Sequence, residues 1–249
     1  MVIGFIGAGN MASALARGIG EPALVCDAVP AKAEALASAI GGEPLASNAE
    51  VAERADVVVL AHKPGQLGQV AAEIDPKAVV SILGGTRVSQ VEEAYPARPV
   101  YRLLPNVAAE VRRGVSCYVP GSLASDGPEQ EILELFGRVG PVVRLDEPLV
   151  EPAMAIMSCG PAFFALVVEA LADAGVRHGL QAPEALALAL GTMAGTAELM
   201  QERELTPAEV RRRVTSPGGS TARGLAALER GGLRATFLDA VEAVVEGTR

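Results

Sequence analysis

The sequence predicts an α/β protein in two parts: a doubly wound sheet over residues 1–146 and an all-α domain over residues 147–249. Three observations support this prediction. Short apolar runs alternate with helical stretches throughout the first part, which is typical of a sheet with helices on both faces. A glycine-rich turn joins the first strand to the first helix, and only helical patterns follow Glu147.

The elements of the first part can be placed in chain order. The run from Asp56 to Ala61 is rich in valine, as expected for a strand that is covered on both faces. Gly41 and Gly42 end the second helix, and Pro64 opens the next one at its first turn. Strands are predicted at residues 2–6, 23–26, 56–61, 78–83, 100–103, 114–119 and 142–145, and helices around residue 15, at 30–40, from 64 and at 129–136.

Residues 7–12, between the first strand and the first helix, read GAGNMA. In a dinucleotide-binding turn the first glycine permits the bend, the second lets the backbone approach a pyrophosphate, and a small third residue allows close packing. Free N–H groups at the helix start then face the phosphates. The pattern predicts a Rossmann domain that binds NAD(P)H, and a plain strand-to-helix turn is the alternative. The cofactor-binding residues assigned here are Gly7, Gly9, Asn10, Met11 and Ala12.

Asp27 ends the predicted second strand, 20 residues after Gly7. An acidic side chain at this place accepts hydrogen bonds from the adenosine ribose hydroxyls and repels a 2′-phosphate. The nearest basic residue is Lys32. Asp27 therefore favours NADH over NADPH, although an aspartate that ends a strand and faces water also fits the pattern.

Composition excludes several classes of function. The formal net charge is −9, so no nucleic-acid partner is expected. Three scattered cysteines fit neither a disulfide framework nor a metal site, and they suit a reducing compartment. No secretory leader precedes the first strand, and the uncharged stretch 185–197 is too short to span a membrane. A cytoplasmic protein with no membrane partner is expected.

The C-terminal helices are predicted at residues 161–178, 183–200 and 222–230. In the first of them Glu169, Asp173 and Arg177 are spaced four apart on one face, and the rest is apolar. The second is apolar nearly all round, and such helices must be buried. A homodimer through these helices is expected, and an ordinary core within one chain is the alternative.

Two loops that follow strands carry candidate site residues. Lys63 lies at the carboxyl end of the central strand, where the nicotinamide half of the cofactor is expected, and it can bond the cofactor or steer an anionic substrate. The neighbouring His62 is more often structural than an acid or base in such a setting. Asn106, after a later strand, can orient nicotinamide or substrate. A solvated lysine and a turn-forming asparagine are the alternatives. Cys159 is expected to be a packed thiol rather than a nucleophile.

A second motif, TSPGGST at residues 215–221, lies directly before a predicted helix. Glycines, hydroxyls and a helix N-terminus together make a cradle for a carboxylate or a phosphate. Ser and Thr also cap helices routinely, so an elaborate cap is the alternative. Two adjacent glycines with several hydroxyls exceed what a cap requires.

Together these segments resemble the pyrroline-5-carboxylate reductase family. The resemblance is carried by GFIGAGNMA at 4–12, HKP at 62–64, LPN at 104–106, GPAFF at 160–164, ALADAGVRHGL at 170–180 and SPGGST at 216–221. It implies a Rossmann domain that binds NAD(P)H and a helical domain that forms an interlocked dimer, and dimers of this family commonly assemble into decamers. It also implies that the substrate carboxylate is held by Ser216, Gly218, Gly219, Ser220 and Thr221, and that Ala61, Lys63, Pro64 and Asn106 lie along the nicotinamide half of the cofactor.

The implied reaction is hydride transfer from NAD(P)H to the C=N carbon of 1-pyrroline-5-carboxylate, which gives proline. The iminium form is already a good hydride acceptor, so the protein mainly positions the two partners and excludes water. Thr221, as a donor to the ring nitrogen, and Lys63 are the expected catalytic residues. Two departures from the family pattern remove hydroxyls: Val107-Ala108 stands where the family has Thr-Pro, and Phe163 where it has tyrosine.

Three other functions share parts of this pattern. A hydroxyacid dehydrogenase of similar layout uses a lysine base on the helix after the sheet, and this chain has no lysine beyond Lys77. Reduction of a different cyclic imine stays open, because one methylene is worth only about 1–3 kcal/mol of discrimination. A non-catalytic NAD(P)-binding paralogue stays open as well, since fold does not fix function.

Overall fold

The computed structural model of the protein describes residues 1–247. Residues 248 and 249, the last two of the predicted C-terminal domain, lie outside the described residues. The chain divides into two compact units, residues 1–158 and residues 159–247. The domain boundary predicted after residue 146 stays a prediction.

The first unit is built on one eight-stranded sheet with the order β3-β2-β1-β4-β5-β6-β7-β8. The first six strands run parallel, and β7 and β8, which are parallel to each other, run antiparallel to β6. The order reverses between β1 and β4, which is where ligands bind in doubly wound sheets. The strands are β1 (Ile3–Ile6), β2 (Leu24–Cys26), β3 (Glu43–Pro44), β4 (Val57–Leu60), β5 (Val79–Ser81), β6 (Val100–Pro105), β7 (Ser116–Pro120) and β8 (Val142–Arg144).

Helices cover both faces of this sheet. Alternate residues of β4 enter the two cores: Val57 and Val59 pack on one face, and Val58 and Leu60 on the other. All four are buried, which confirms the prediction of a strand covered on both sides. The helices of this unit are α1 (Asn10–Ile19), α2 (Pro30–Ile40), α3 (Asn48–Arg54), α4 (Leu67–Glu73), α5 (Val88–Ala94), α6 (Glu129–Gly137) and α7 (Val150–Met157).

The sequence patterns do not predict some of the elements, or not their bounds. Strand β3 has only two residues, both exposed, so it has no apolar signature. Helices α3 and α5 have seven residues each, too few to show a period, although the Ser47 side chain accepts a hydrogen bond from the Glu50 N–H and marks the start of α3. Pro64 begins a 3-10 turn over Pro64–Gln66, and the α-helix itself starts only at Leu67.

Both ends of α7 are tied to β6. Before the helix, Glu147 forms an ion pair of 2.5 Å with Arg102 in the middle of β6, where the Arg102 side chain is only 5% exposed. After it, the carbonyl oxygen of Met157 accepts a hydrogen bond from Asn106, which follows β6. A small core that includes Leu104, Cys117, Val119, Val150 and Met157 fills the space between these ties. The segment 147–157 is therefore a fixed part of the first unit.

The second unit is helical throughout its described residues. Its helices are α8 (Gly160–Arg177), α9 (Ala182–Glu202), α10 (Pro207–Arg213), α11 (Ser220–Arg230) and α12 (Leu233–Gly247). Helices α8 and α9 pack on each other and leave a groove of about 960 Å³ whose lining is mostly apolar. Leu166 and Leu188 are 64% and 60% exposed in the single chain. The chain by itself does not bury these helices, so the alternative of an ordinary intrachain core is wrong for these two residues.

One run, residues 147–177, is long and apolar enough to cross a membrane by length and composition alone. The sequence prediction covers only the shorter stretch 185–197. The run comprises two helices, α7 and α8, and α7 belongs to the first unit. Such a single run is weak evidence, because core helices of soluble proteins pass the same test.

Candidate active site

Two loops meet where the sheet order reverses. Gly7 follows β1 with a φ of +106°, and its N–H donates a hydrogen bond of 2.8 Å to the Cys26 carbonyl. A side chain at Gly7 would place Cβ 2.6 Å from the carbonyl oxygen of Ala61, which follows β4. Both the backbone conformation and this close approach require glycine. The first glycine of the motif thus has the role that its sequence position predicts.

The start of α1 is open where a phosphate would approach. Gly9 is the N-cap residue, and a Cβ there would have no atom within 4 Å. Asn10 is exposed and Met11 is half-buried, and the N–H groups of this first turn have no intrahelical partners. Ala12 is buried in the core between helix and sheet. Space, donors and the positive end of the helix dipole together fit a pyrophosphate.

Asp27 lies beside this turn. One carboxylate oxygen accepts a hydrogen bond of 2.7 Å from the Ala8 N–H, and the other accepts one of 2.8 Å from the Val29 N–H. Asp27 therefore fixes the glycine turn as well as ending β2, a role that sequence reasoning missed. Each carboxylate oxygen has further lone pairs, so the side chain can still accept hydroxyl donors.

The loop after β4 holds His62 and Lys63. The His62 ring is half-buried, and its Nδ1 lies 2.9 Å from the Lys63 carbonyl oxygen. Burial lowers the pKa of His62, although the contact with the Lys63 carbonyl opposes this shift. Lys63 itself is exposed, and its backbone N–H donates a hydrogen bond to Gln66 Oε1. The Lys63 ammonium is thus available to an anion, and burial disfavours the charged form of the His62 ring.

Asn106 is buried and already bonded on both sides of its amide. Nδ2 donates a hydrogen bond of 3.2 Å to the Met157 carbonyl, and Oδ1 accepts one of 3.2 Å from the Val115 N–H. Sequence reasoning missed these partners, which lie 51 and nine residues away along the chain. One amide N–H is left for a ligand. The predicted contact of Asn106 with cofactor or substrate stays a prediction.

Residues 216–221 in the second unit form a tight turn that opens α11. The Gly219 N–H donates a hydrogen bond of 3.0 Å to the Ser216 carbonyl, and Gly218 has a φ of +69°. With Pro217 before it, this is the pattern of a type II turn, which requires glycine at the third place. A Cβ at Gly219 would lie 2.4 Å from Ser216 Oγ. Thr221 is half-buried in the first helical turn, and Ser216 and Ser220 are exposed.

Arg223, in the first turn of α11, is a residue near this loop that the sequence prediction missed. Its guanidinium donates a hydrogen bond of 2.8 Å to the Gly218 carbonyl. A cation in the first turn of a helix is repelled by the helix dipole, and residues 1–247 provide no carboxylate partner for it. The remaining guanidinium N–H groups, with the open N–H groups of the first turn, make this end of α11 favourable for an anion.

The two departures from the family pattern lie in different units. Val107 begins a 3-10 turn after Asn106 and is exposed, whereas Phe163 is half-buried in the first turn of α8. Cys159 is partly exposed and directly precedes α8. Its position leaves the predicted packing role untested.

Similar sequences cover the whole chain. A family model described as "Pyrroline-5-carboxylate reductase dimerisation" matches residues 147–249, and one described as "NADP oxidoreductase coenzyme F420-dependent" matches residues 2–85. A pyrroline-5-carboxylate reductase of Synechocystis sp. is 36% identical over 252 residues, which cover 97% of this chain and 94% of the relative.

Two solved structures of similar fold are also described as pyrroline carboxylate reductases. A pyrroline-5-carboxylate reductase from Coxiella burnetii has a TM-score of 0.89 and 30% identity, with 99% of this chain and 96% of the other covered. The pyrroline carboxylate reductase of Plasmodium falciparum, solved with NADP bound, has a TM-score of 0.85 and 30% identity, with 100% and 97% covered.

Proposed function

Because the chain belongs to the pyrroline-5-carboxylate reductase family, we propose that it transfers hydride from NAD(P)H to the C=N carbon of 1-pyrroline-5-carboxylate, which gives L-proline. One observation carries this proposal: a single chain has both a dinucleotide turn left open at Gly9 and an anion-binding turn at residues 216–221. The first suits a pyrophosphate, and the second suits the substrate carboxylate.

The protein contributes binding, orientation and exclusion of water to this reaction. NAD(P)H supplies the hydride when bound. The turn of Ser216, Gly218, Gly219 and Ser220 holds the substrate carboxylate, and the Thr221 hydroxyl donates a hydrogen bond to the ring nitrogen. Lys63 and Asn106 contact the nicotinamide half, together with Ala61 and Pro64. The neutral imine accepts the Thr221 hydrogen bond through its nitrogen lone pair. Protonation of the nitrogen from solvent then gives the iminium, which accepts the hydride, so the protein mainly holds the imine carbon and the donor about 3–3.5 Å apart.

NADH is the preferred cofactor in this proposal. The Asp27 carboxylate beside the glycine turn can accept the ribose hydroxyls and would repel a 2′-phosphate. The Plasmodium relative was solved with NADP. The preference for NADH proposed for this chain depends on Asp27.

The chain associates through its C-terminal region, in line with the dimerisation family that matches residues 147–249. We propose a homodimer formed by the exposed apolar faces of α8 and α9, with a decamer of five such dimers as the higher assembly. Helix α7 already packs in the first unit, and burial of α8 by a second copy accounts for the rest of the apolar run 147–177 without a membrane, so we propose a cytoplasmic enzyme.

The test follows the absorbance of the reduced nicotinamide with 1-pyrroline-5-carboxylate, with NADH and NADPH in parallel. Oxidation of the cofactor is expected, and faster with NADH. Equal or better use of NADPH would overturn the Asp27 argument alone. Activity only with the six-membered homologue would show a related imine reductase. Dinucleotide binding without turnover of any imine would show a non-catalytic paralogue, which the missing hydroxyls at Val107 and Phe163 would then explain.

A further inference from the structure

Helix α8 carries three charged side chains along one face. Glu169, Asp173 and Arg177 follow one another at intervals of four residues, so they lie in a row along the helix. All three are exposed in the single chain. These three residues form the charged stripe.

The charged stripe borders the groove between α8 and α9. Glu169 and Asp173 belong to the lining of this groove, and the other lining residues, such as Leu166 and Leu186, are apolar. Among residues 1–247 the three charges of the stripe have no ion-pair partner. Two unpaired carboxylates thus lie in a surface that is otherwise apolar.

A second copy that covers this groove must also neutralise these charges. A charged group that is removed from water needs a partner of opposite sign, since its desolvation is otherwise uncompensated. The dimerisation family matches residues 147–249, and the proposed homodimer places a second copy on this groove. Glu169 and Asp173 then require a cation from that copy.

Symmetry and the order of charges identify this cation. In a two-fold homodimer the same patch faces itself, so each contact occurs twice. A parallel pair of α8 helices would place the acids of one stripe beside the acids of the other. An antiparallel pair places Arg177, at the C-terminal end of one stripe, beside Glu169 and Asp173 of the other. The charged stripe is therefore complementary to an antiparallel copy of itself.

We propose that α8 pairs antiparallel with α8 of a second copy, and that Arg177 of each copy forms ion pairs with Glu169 and Asp173 of the other. This inference rests on the homodimer in the proposed function, and it adds which helix pairs with itself and which charges set its direction. Complementary charges at an interface fix the register and exclude wrong pairings.

Charge reversal tests this pairing. Arg177→Glu leaves only acids on the stripe, and Glu169→Arg combined with Asp173→Arg leaves only bases. Each variant alone should have a dissociation constant raised about 100-fold or more, because like charges then face each other. An equimolar mixture of the two variants should form heterodimers with a dissociation constant within about tenfold of that of the wild type.

Light scattering after gel filtration, over a dilution series, measures the mass of each sample. Lys32→Glu is the matched control, because Lys32 is exposed on α2 in the first unit and its reversal changes the net charge as much as Arg177→Glu does. This control should keep the mass of the wild type.

A wild-type dissociation constant for either variant alone would overturn the proposal. Dissociation of both variants without recovery in the mixture would overturn it too, because the charges would then act without pairing with each other. Thermal unfolding shows whether each chain is folded, and where one folds only with its complement, co-expression with two affinity tags replaces mixing. A monomeric wild-type protein would instead refute the proposed dimer itself.

Discussion

The side-chain amide of Asn106 donates a hydrogen bond of 3.2 Å to the carbonyl oxygen of Met157. The same amide accepts a hydrogen bond from the Val115 N–H, so one side chain joins the end of β6, the approach to β7 and the last turn of α7. A residue expected from its motif to orient a ligand is thus also a structural tie. Its substitution will change stability as well as binding.

Asn106→Ala should destabilise the protein in the absence of any ligand. Both partners are backbone groups, and leaving buried groups unpaired costs about 1–3 kcal/mol. Urea unfolding measures the free-energy change. Gln69→Ala on the exposed face of α4 is the control and should change it by less than about 0.5 kcal/mol. An equal effect of the two substitutions would contradict the structural role.

Gly7→Ala should destabilise the fold, whereas Gly9→Ala should weaken dinucleotide binding. At Gly7 the positive φ and the Ala61 backbone exclude a side chain, so alanine should destabilise the fold by about 1–3 kcal/mol. At Gly9 a methyl group has room, and folding should be unchanged within about 0.5 kcal/mol. Binding of NADH to Gly9→Ala should fall by about tenfold or more, because the methyl occupies the approach of the pyrophosphate. Unaltered affinity in Gly9→Ala would place the phosphates elsewhere.

Arg223→Met should raise the KM for 1-pyrroline-5-carboxylate about 3- to 10-fold, because the Gly218 carbonyl loses the cation that fixes the turn. The KM for NADH should stay the same, and Arg223→Lys should restore part of the loss. Arg230→Met, in the last turn of the same helix, is the matched control. An identical rise with 1-pyrroline, which has no carboxylate, would show that Arg223 does not act through the anion-binding turn.

His62 should titrate below its ordinary pKa of 6.5, because burial disfavours the charged ring. The unfolded chain then takes up the proton first as the pH falls, so the contribution of His62 to stability is present above pH 6.5 and is lost on acidification. Proton NMR of the ring resonances measures the midpoint. The chain has two histidines, so His62→Asn assigns the signal. A midpoint at or above 6.5 would contradict the burial argument.

Leu166→Glu and Leu188→Glu should each dissociate the proposed dimer. Both leucines are exposed in the single chain, and a buried charge at a dimer core weakens association by about 2–4 kcal/mol. Light scattering after gel filtration reports the mass. Val143→Glu on β8 is exposed in the first unit and should leave the mass unchanged. A monomeric wild-type protein would rule out the dimer altogether.

The sequence predicts the central elements because their signals are local. The valines of β4 and the glycines at 7 and 9 indicate a buried strand and a dinucleotide turn without knowledge of the rest of the chain. Edge strand β3 is missed because two exposed residues carry no pattern. Strand β7 was located, but its antiparallel direction depends on its pairing with β6.

The candidate site, too, combines residues that local sequence signals predict with residues that depend on the fold. The adjacent glycines Gly218 and Gly219 can be recognised in the sequence. Arg223 cannot, because its partner is a backbone carbonyl, which every residue has. The ties of Asn106 depend on residues that only the fold brings near. The burial of His62 Nε2, which has no hydrogen-bond partner among residues 1–247, likewise depends on the fold and cannot be predicted for a single loop residue.

The anchoring of α7 to β6 decides where recombinant fragments of this protein should be cut. A fragment that ends at residue 146 would match the start of the dimerisation family, but it would lack helix α7, which covers Leu104 and Cys117. It would also leave the Arg102 guanidinium without its partner Glu147. A fragment that ends after Ser158 keeps helix α7. Isolated NAD(P)H-binding fragments should therefore be soluble when they carry the extra helix and prone to aggregate when they lack it.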